Sequence, residues 1–300
     1  DGVSRGVFER REDSSIWVDL SDRGLDEKAL LRKDGTSLYV TQDLGVAIER
    51  FHKMNMDRAV YVVGSEQIYH FKVLFEILKR MGFEWAEACH HLSYGMVYLP
   101  DGKMKSREGK VVDADDLMDK LKTMVLEKMD ESQFAVSRAS RAEIAEAIGL
   151  GAIKYYILRF NPQKDIHFDP EKSLSLQGAT GAYVQYCYAR IQSLLDKAGE
   201  HPPVAKSLDS LVGVDEVDLL RHLMRYEDAV ALAAKELNPS RLTTYLWETA
   251  KSYSGFYTRN RILGIDEHDL SLARLALSEA TAVILKNGLE MLGIKAVNEM

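Results

Sequence analysis

Three hundred residues, 46 % of them hydrophobic, suffice for about two domains, each with its own core. The formal charge of −7 argues against indiscriminate nucleic-acid binding, although a local basic face for one RNA is compatible with it. No run reaches the ~18–20 apolar residues of a membrane helix and no signal-peptide pattern opens the chain, so a cytoplasmic protein without a membrane partner is expected. Cys89 and Cys187 lie far apart without metal-ligand spacing and read as two buried thiols; no metal site is expected.

Residues 1–33 offer one strand-like run, 16–20, amid charged and glycine-containing sequence, with no clear domain start. After the Asp34-Gly35 turn, strand and helix patterns alternate. A strand is expected over 37–42, a helix over 44–54 and a buried strand over 58–64. Ile68, Phe71, Leu74, Phe75 and Leu78 then form a helical stripe within 66–81, stopped by Gly82. This alternation implies a parallel sheet, whose ligands sit outside the carboxyl ends of the strands. Tyr39, Asp43 and Gln67 fall at such ends or at the helix starts that follow. Asp43 has an ordinary explanation as the N-cap of the 44–54 helix; its functional reading is a carboxylate that receives a cation, best a guanidinium in bidentate geometry. Gln67 caps a helix or bonds a substrate, and Tyr39 is strand core or pocket wall.

Residues 91–99 read as a strand leading into 102–112, where Lys103, Lys105, Arg107 and Lys110 crowd between glycines. Such a run is usually a solvated loop. It also suits polyphosphate chemistry, because cations aimed at charge developing on phosphate are strong catalytic devices. Residues 111–131 turn helical, with Asp113 and Asp115 as cap candidates. Ser140-Arg-Ala-Glu143 is a capping box opening a helix toward Phe160, ended by Asn161-Pro162. Gly149 and Gly151 inside it point to a closely packed neighbouring backbone. Beyond Asp169-Pro170 the pattern is all helical: 176–197, 214–237, a helix opened by Asn238-Pro239-Ser240, and 269–291 ended by Gly293. Four such helices make a bundle. Tyr183, Tyr186 and Arg190 share one helix face, which is core by default or a stacking platform for unpaired bases.

Lys103-Met-Lys-Ser-Arg107 resembles the mobile lysine loop of class I aminoacyl-tRNA synthetases. Tyr94-Gly95-Met96-Val97, Tyr39-Val-Thr-Gln-Asp43-Leu and Gly64-Ser-Glu-Gln67-Ile-Tyr-His70-Phe71 resemble the arginyl-tRNA synthetase family in particular. The resemblance continues through Gly181-Ala-Tyr183-Val-Gln-Tyr186 to Leu292-Gly-Ile-Lys-Ala-Val-Asn-Glu-Met300, nearly the whole chain. It implies an α/β fold followed by an all-α one: the C-terminal half of a class I, Rossmann-like nucleotide-binding domain (1–112), a helical connecting region (113–170) and a helical-bundle anticodon-binding domain (171–300).

By the same resemblance, Lys103, Lys105 and Arg107 are the catalytic cations, while Tyr39, Asp43 and Gln67 hold L-arginine. ATP, brought with Mg²⁺, lies on His70 and the 95–97 backbone of Gly95, Met96 and Val97, with Lys103 and Lys105 on its phosphates. Tyr183, Tyr186, Arg190, Tyr257, Arg259, Arg261 and Met300 face the anticodon loop of the tRNA for arginine. The family loop is more often spelled Lys-Met-Ser-Thr-Arg or Lys-Phe-Lys-Thr-Arg, so the resemblance leaves open which lysine meets which phosphate. No His-x-Gly-His occurs, so the chain is expected to be the C-terminal portion of an arginine–tRNA ligase, inactive alone. The competing reading is a non-catalytic synthetase-like module that binds tRNA or a protein partner. A synthetase for another amino acid would need a pocket without Tyr39, Asp43 and Gln67.

Overall fold

A computed structural model describes residues 1–99, 113–131, 140–199, 205 and 207–300. They fall into two compact units, Asp1–Met96 and Val97–Met300. The basic segment 102–112, with Lys103, Lys105 and Arg107, lies outside the described residues.

The first unit opens with three short antiparallel strands, β1 (Glu9–Arg10), β2 (Ile16–Val18) and β3 (Lys28–Leu31), in the order β1-β2-β3. The strand expected over 37–42 is instead the start of a helix, α1 (Tyr39–Met54). The stripe that buries it, Val40, Leu44, Ala47 and Phe51, begins one turn earlier than the sequence pattern was read. The Leu38 N–H and the Thr41 hydroxyl both donate to the Leu30 carbonyl, tying this end of the helix to β3. Asp43 is therefore inside α1 rather than its N-cap; Leu38 holds the cap position without a side-chain bond.

β4 (Ala59–Gly64) follows, then a 3-10 turn (Ser65–Gln67), α2 (Ile68–Arg80) and β5 (Cys89–Tyr94), which pairs in parallel with β4. α2 buries Phe71, Val73, Leu74, Ile77 and Leu78. The 58–64 strand is not buried on both faces as expected. Val60 and Val62 are 40 % and 63 % exposed, while Tyr61 and Val63, on the alternate face, pack into the core under α2. Parallel sheets are normally covered on both faces, and one face of β4 is open in this unit.

In the second unit, β6 (Val97–Tyr98) pairs in parallel with β7 (Ile166–His167), so the strand expected over 91–99 is split at Gly95-Met96. α3 (Ala114–Glu131) packs on α4 (Arg141–Leu158). Ser140 precedes α4 without the expected side-chain cap. The glycines of α4 do mark close approach: a Cβ on Gly149 would lie 3.2 Å from the Lys122 nitrogen, and one on Gly181 would lie 2.7 Å from the Gly151 carbonyl. Asp169 caps the short α5 (Pro170–Ser173), and Thr180 caps α6 (Gly181–Ala198), which starts later than the 176 expected.

The 214–237 helix is two, α7 (Val214–Leu223) and α8 (Tyr226–Glu236). No Gly or Pro marks the break. The Tyr245 hydroxyl, from α9 (Ser240–Arg259), lies 3.0 and 3.3 Å from the His222 and Leu223 carbonyls and satisfies the end of α7. α10 (His268–Met291) ends at Gly293 (φ +67°), where Ile294 N–H donates to Leu289 and Gly293 N–H to Glu290. Tyr155, Val184, Ile191, Leu219, Leu246, Tyr253, Phe256 and Leu285 form the shared core of these helices. Among the described residues the bundle thus has five helices, α6–α10, one more than the pattern indicated.

Candidate functional site

In the first unit, α1 and α2 pack against each other and bring four of the sequence-selected side chains to their N-terminal ends. Tyr39 opens α1 and Asp43 follows at i+4, on the same helix face. Gln67 closes the 3-10 turn before α2, and His70 stands in the first turn of α2. Asp43 Oδ2 lies 2.7 Å from His70 Nε2. The His70 ring meets Phe71 edge-on, and Phe71 stacks at 4.3 Å on His91, whose Nε2 is 3.0 Å from the Val63 carbonyl. The imidazole is thus backed by an aromatic column reaching into the sheet.

Asp43 is half exposed, Tyr39 is 82 % exposed, and Oδ1 accepts no hydrogen bond among the described residues. A carboxylate with one oxygen fixed and one presented beside an aromatic ring is suited to a planar cation. Sequence reasoning selected both residues but not their contact, because a separation of 27 residues carries no local signal. Gly95 and Met96 follow β5, and Val97 opens β6.

In the second unit, α6 and α9 assemble an aromatic–cation cluster. Arg190 Nη2 donates to the Tyr186 hydroxyl at 2.8 Å, and the guanidinium lies 4.6 Å from the Tyr186 ring centroid and 5.5 Å from that of Tyr257. Burial disfavours the Arg190 charge and is the largest single influence, but the Tyr186 hydrogen bond together with the attraction of Tyr186, Cys187 and Tyr257 outweighs it, so its pKa is raised. The Tyr183 hydroxyl is 3.1 Å from Ser254 Oγ. Arg259 is engaged within the fold: Nε and Nη2 meet the Asp215 carboxylate at 2.7 and 2.5 Å, which holds that carboxyl below its ordinary range. Arg261 Nε donates to the Leu263 carbonyl.

Tyr186 and Met300 line one open, apolar pocket together with Val125, Lys128, Met129, Ile148, Leu174 and Leu176. The sequence pattern carries no sign of this pocket, since its walls come from α3, α4, α6, the segment before α6 and the C-terminal segment after α10. Cys187 is buried and Cys89 partly so; loss of hydration pushes their thiols up to about 12 and about 11, which favours the protonated form of both at neutral pH. Among the described residues no group of three or more His, Cys, Asp or Glu is placed to hold a metal ion, and no helix is long and apolar enough to cross a membrane.

The chain thus runs from parallel strands with helices into a helical bundle, and family comparison divides it in the same order. Residues 6–170 match the family described as tRNA synthetases class I (R), catalytic domain, and residues 184–300 match the DALR anticodon binding domain. The chain belongs to the arginyl-tRNA synthetase family.

Relatives include the arginine–tRNA ligases of Treponema denticola and Flavobacterium psychrophilum, 46 % and 43 % identical; each alignment takes in 100 % of this chain and 52 % or 50 % of the relative. The chain thus spans about half the length of the curated relatives it matches. Among solved structures, Thermus thermophilus arginyl-tRNA synthetase superposes with a TM-score of 0.83 at 26 % identity, over 97 % of this chain and 55 % of that one. Arginyl-tRNA synthetase from Plasmodium falciparum gives 0.84 at 22 % identity, over 99 % of this chain and 51 % of the other, which speaks for the fold alone.

Proposed function

We propose that this chain is the C-terminal portion of an arginine–tRNA ligase, which condenses arginine with ATP to arginyl-adenylate and pyrophosphate and then transfers arginine to the terminal ribose of its tRNA. The observation that carries the reading is Asp43, paired with His70 and one helical turn from Tyr39, at the start of α1. In this reading the Asp43 carboxylate meets the guanidinium of the substrate, Tyr39 and Gln67 complete the pocket, and His70 fixes the carboxylate and borders the nucleotide. The 95–97 backbone lies along the adenine. Mg²⁺ arrives with ATP as part of the substrate. Lys103, Lys105 and Arg107 act on the phosphates. Residues 1–112 then belong to the catalytic region, 113–170 to a connector and 171–300 to the anticodon-binding domain, where Tyr183, Tyr186, Arg190, Tyr257 and Met300 meet unpaired bases. Arg259 and Arg261 would reach phosphates only by giving up Asp215 or Leu263.

The test is Asp43→Asn in the complete polypeptide. The substitution keeps shape and removes the charge, and hydrogen bonds to charged groups are worth about 1.5–3 kcal/mol, so KM for arginine should rise about 10- to 150-fold while KM for ATP stays within about twofold. An unchanged KM for arginine would remove Asp43 from the pocket.

Residues 1–300 alone should give no arginine-dependent ATP–pyrophosphate exchange, with or without tRNA. Among the described residues, the two parallel strands leave Val60 and Val62 open to solvent, whereas such a sheet is normally covered on both faces. Robust exchange by these residues would overturn that expectation.

A further inference from the structure

Beyond Gly293 the chain runs to Met300 without regular secondary structure, so no ladder of backbone bonds holds it. Its apolar side chains do anchor it: Ile294 and Val297 are 1 % and 4 % exposed. Two side chains from other elements hold its backbone. Lys154 of α4 donates to the Gly293 carbonyl at 2.5 Å. Gln185 of α6 donates through Nε2 to the Lys295 carbonyl at 2.8 Å and to the Ala147 carbonyl of α4 at 3.2 Å.

Gln185 is fully buried, and its amide lies against the closest approach of two helices: a Cβ on Gly151 would sit 2.8 Å from Oε1 and 2.9 Å from Nε2. Oε1 itself has no partner in this site. A buried amide with one end unsatisfied is a costly way to fill a helix crossing, which an apolar side chain would fill without that penalty. What the amide adds is a bond to the C-terminal segment. The next residue on α6, Tyr186, lines the same apolar pocket as Met300, five residues beyond the carbonyl that Gln185 holds.

We propose that Gln185 is a positioning residue for RNA binding: it clamps the C-terminal segment to α4 and α6 so that Met300 is presented beside Tyr186. Lys154 is the second, outer clamp. The inference rests on the reading above that Met300 and Tyr186 meet the anticodon loop, and the experiment separates the two.

The complete polypeptide is titrated against an unmodified transcript of the tRNA for arginine, with ATP binding measured in parallel, for Gln185→Leu, Met300→Ala and the double variant. Gln185→Leu should weaken tRNA binding about three- to tenfold, the scale of one buried hydrogen bond, and leave ATP binding unchanged. In the Met300→Ala background the same substitution should have almost no further effect, because the group it positions is gone. A merely structural role would instead give additive losses. If Met300→Ala weakens binding and Gln185→Leu adds its full effect on top, or has no effect alone, the positioning role is overturned and the RNA reading stands. If Met300→Ala binds tRNA like the wild type, the RNA reading of this pocket fails and the positioning role falls with it. Lys154→Met, at an exposed helix position, runs the same cycle should Gln185→Leu not fold, and additivity there overturns the clamp equally.

Discussion

Arg274→Ala is expected to destabilise the helical unit by about 3–5 kcal/mol, the cost of stranding one member of a buried ion pair. Glu216, in the first turn of α7, is 1 % exposed. Its Oε2 accepts the Gly213 N–H at 2.7 Å and its Oε1 accepts Arg274 Nε at 2.7 Å. Arg274 also donates to the Arg261 carbonyl at 2.6 Å and to Asn260 Oδ1 at 3.4 Å, so one guanidinium joins α7, the loop after α9, and α10. Removing it leaves a buried carboxylate with a single backbone donor and uncouples the three segments. Chemical denaturation of the complete polypeptide, followed by far-ultraviolet circular dichroism, measures the loss. Replacing both partners together, Arg274→Met with Glu216→Leu, should recover most of it, because no unpaired charge remains. The Arg259–Asp215 pair is shorter but solvent-exposed, and Arg259→Ala should cost far less than Arg274→Ala. A loss under about 1 kcal/mol for Arg274→Ala would show that water already compensates Glu216.

The division into strand–helix alternation and then helices was legible because both depend on local periodicity, and Asn238, Asp169 and Gly293 announced helix ends through side-chain or backbone rules that need no tertiary partner. The errors fall where tertiary contacts decide. Val40 and Thr41 have the β-branched look of a strand, yet Val40 is the first buried residue of α1 because β3 and α2 supply the core it faces. The break between α7 and α8 is set by Tyr245, some 22 residues downstream, which no local rule reads. The same limit governed the candidate site. Residue types at Tyr39, Asp43 and Gln67 pointed to one crevice, with His70 added only by the resemblance, but the direct bond between Asp43 and His70, the Arg190 bridge between Tyr186 and Tyr257, and the grip of Asp215 on Arg259 all join distant segments. The last of these changes the reading most: a cation chosen for a nucleic acid phosphate already has a carboxylate.

Lys103→Ala and Lys105→Ala, made in the complete polypeptide, should lower kcat for arginine-dependent pyrophosphate exchange more than they raise KM for ATP. If these ammonium groups act on charge that develops as the α-phosphate becomes pentacoordinate and pyrophosphate departs, they bind the transition state more strongly than the ground state. Losing one such preorganised contact costs about 2.7–4 kcal/mol, or on the order of 10²–10³ in kcat. Uniform grip on bound ATP would give the opposite split, a raised KM at unchanged kcat. A solvated basic run would give neither. The two lysines stand two residues apart between Gly102 and Gly109, alongside Arg107 and Lys110. Two ammonium groups so close in sequence would act on the same polyphosphate. The double alanine variant should then lose less than the product of the two single losses, since groups that share one charge couple. Wild-type kcat in both single variants would retire the catalytic role of the loop, whereas a loss confined to one lysine would identify the residue that meets the reacting phosphate.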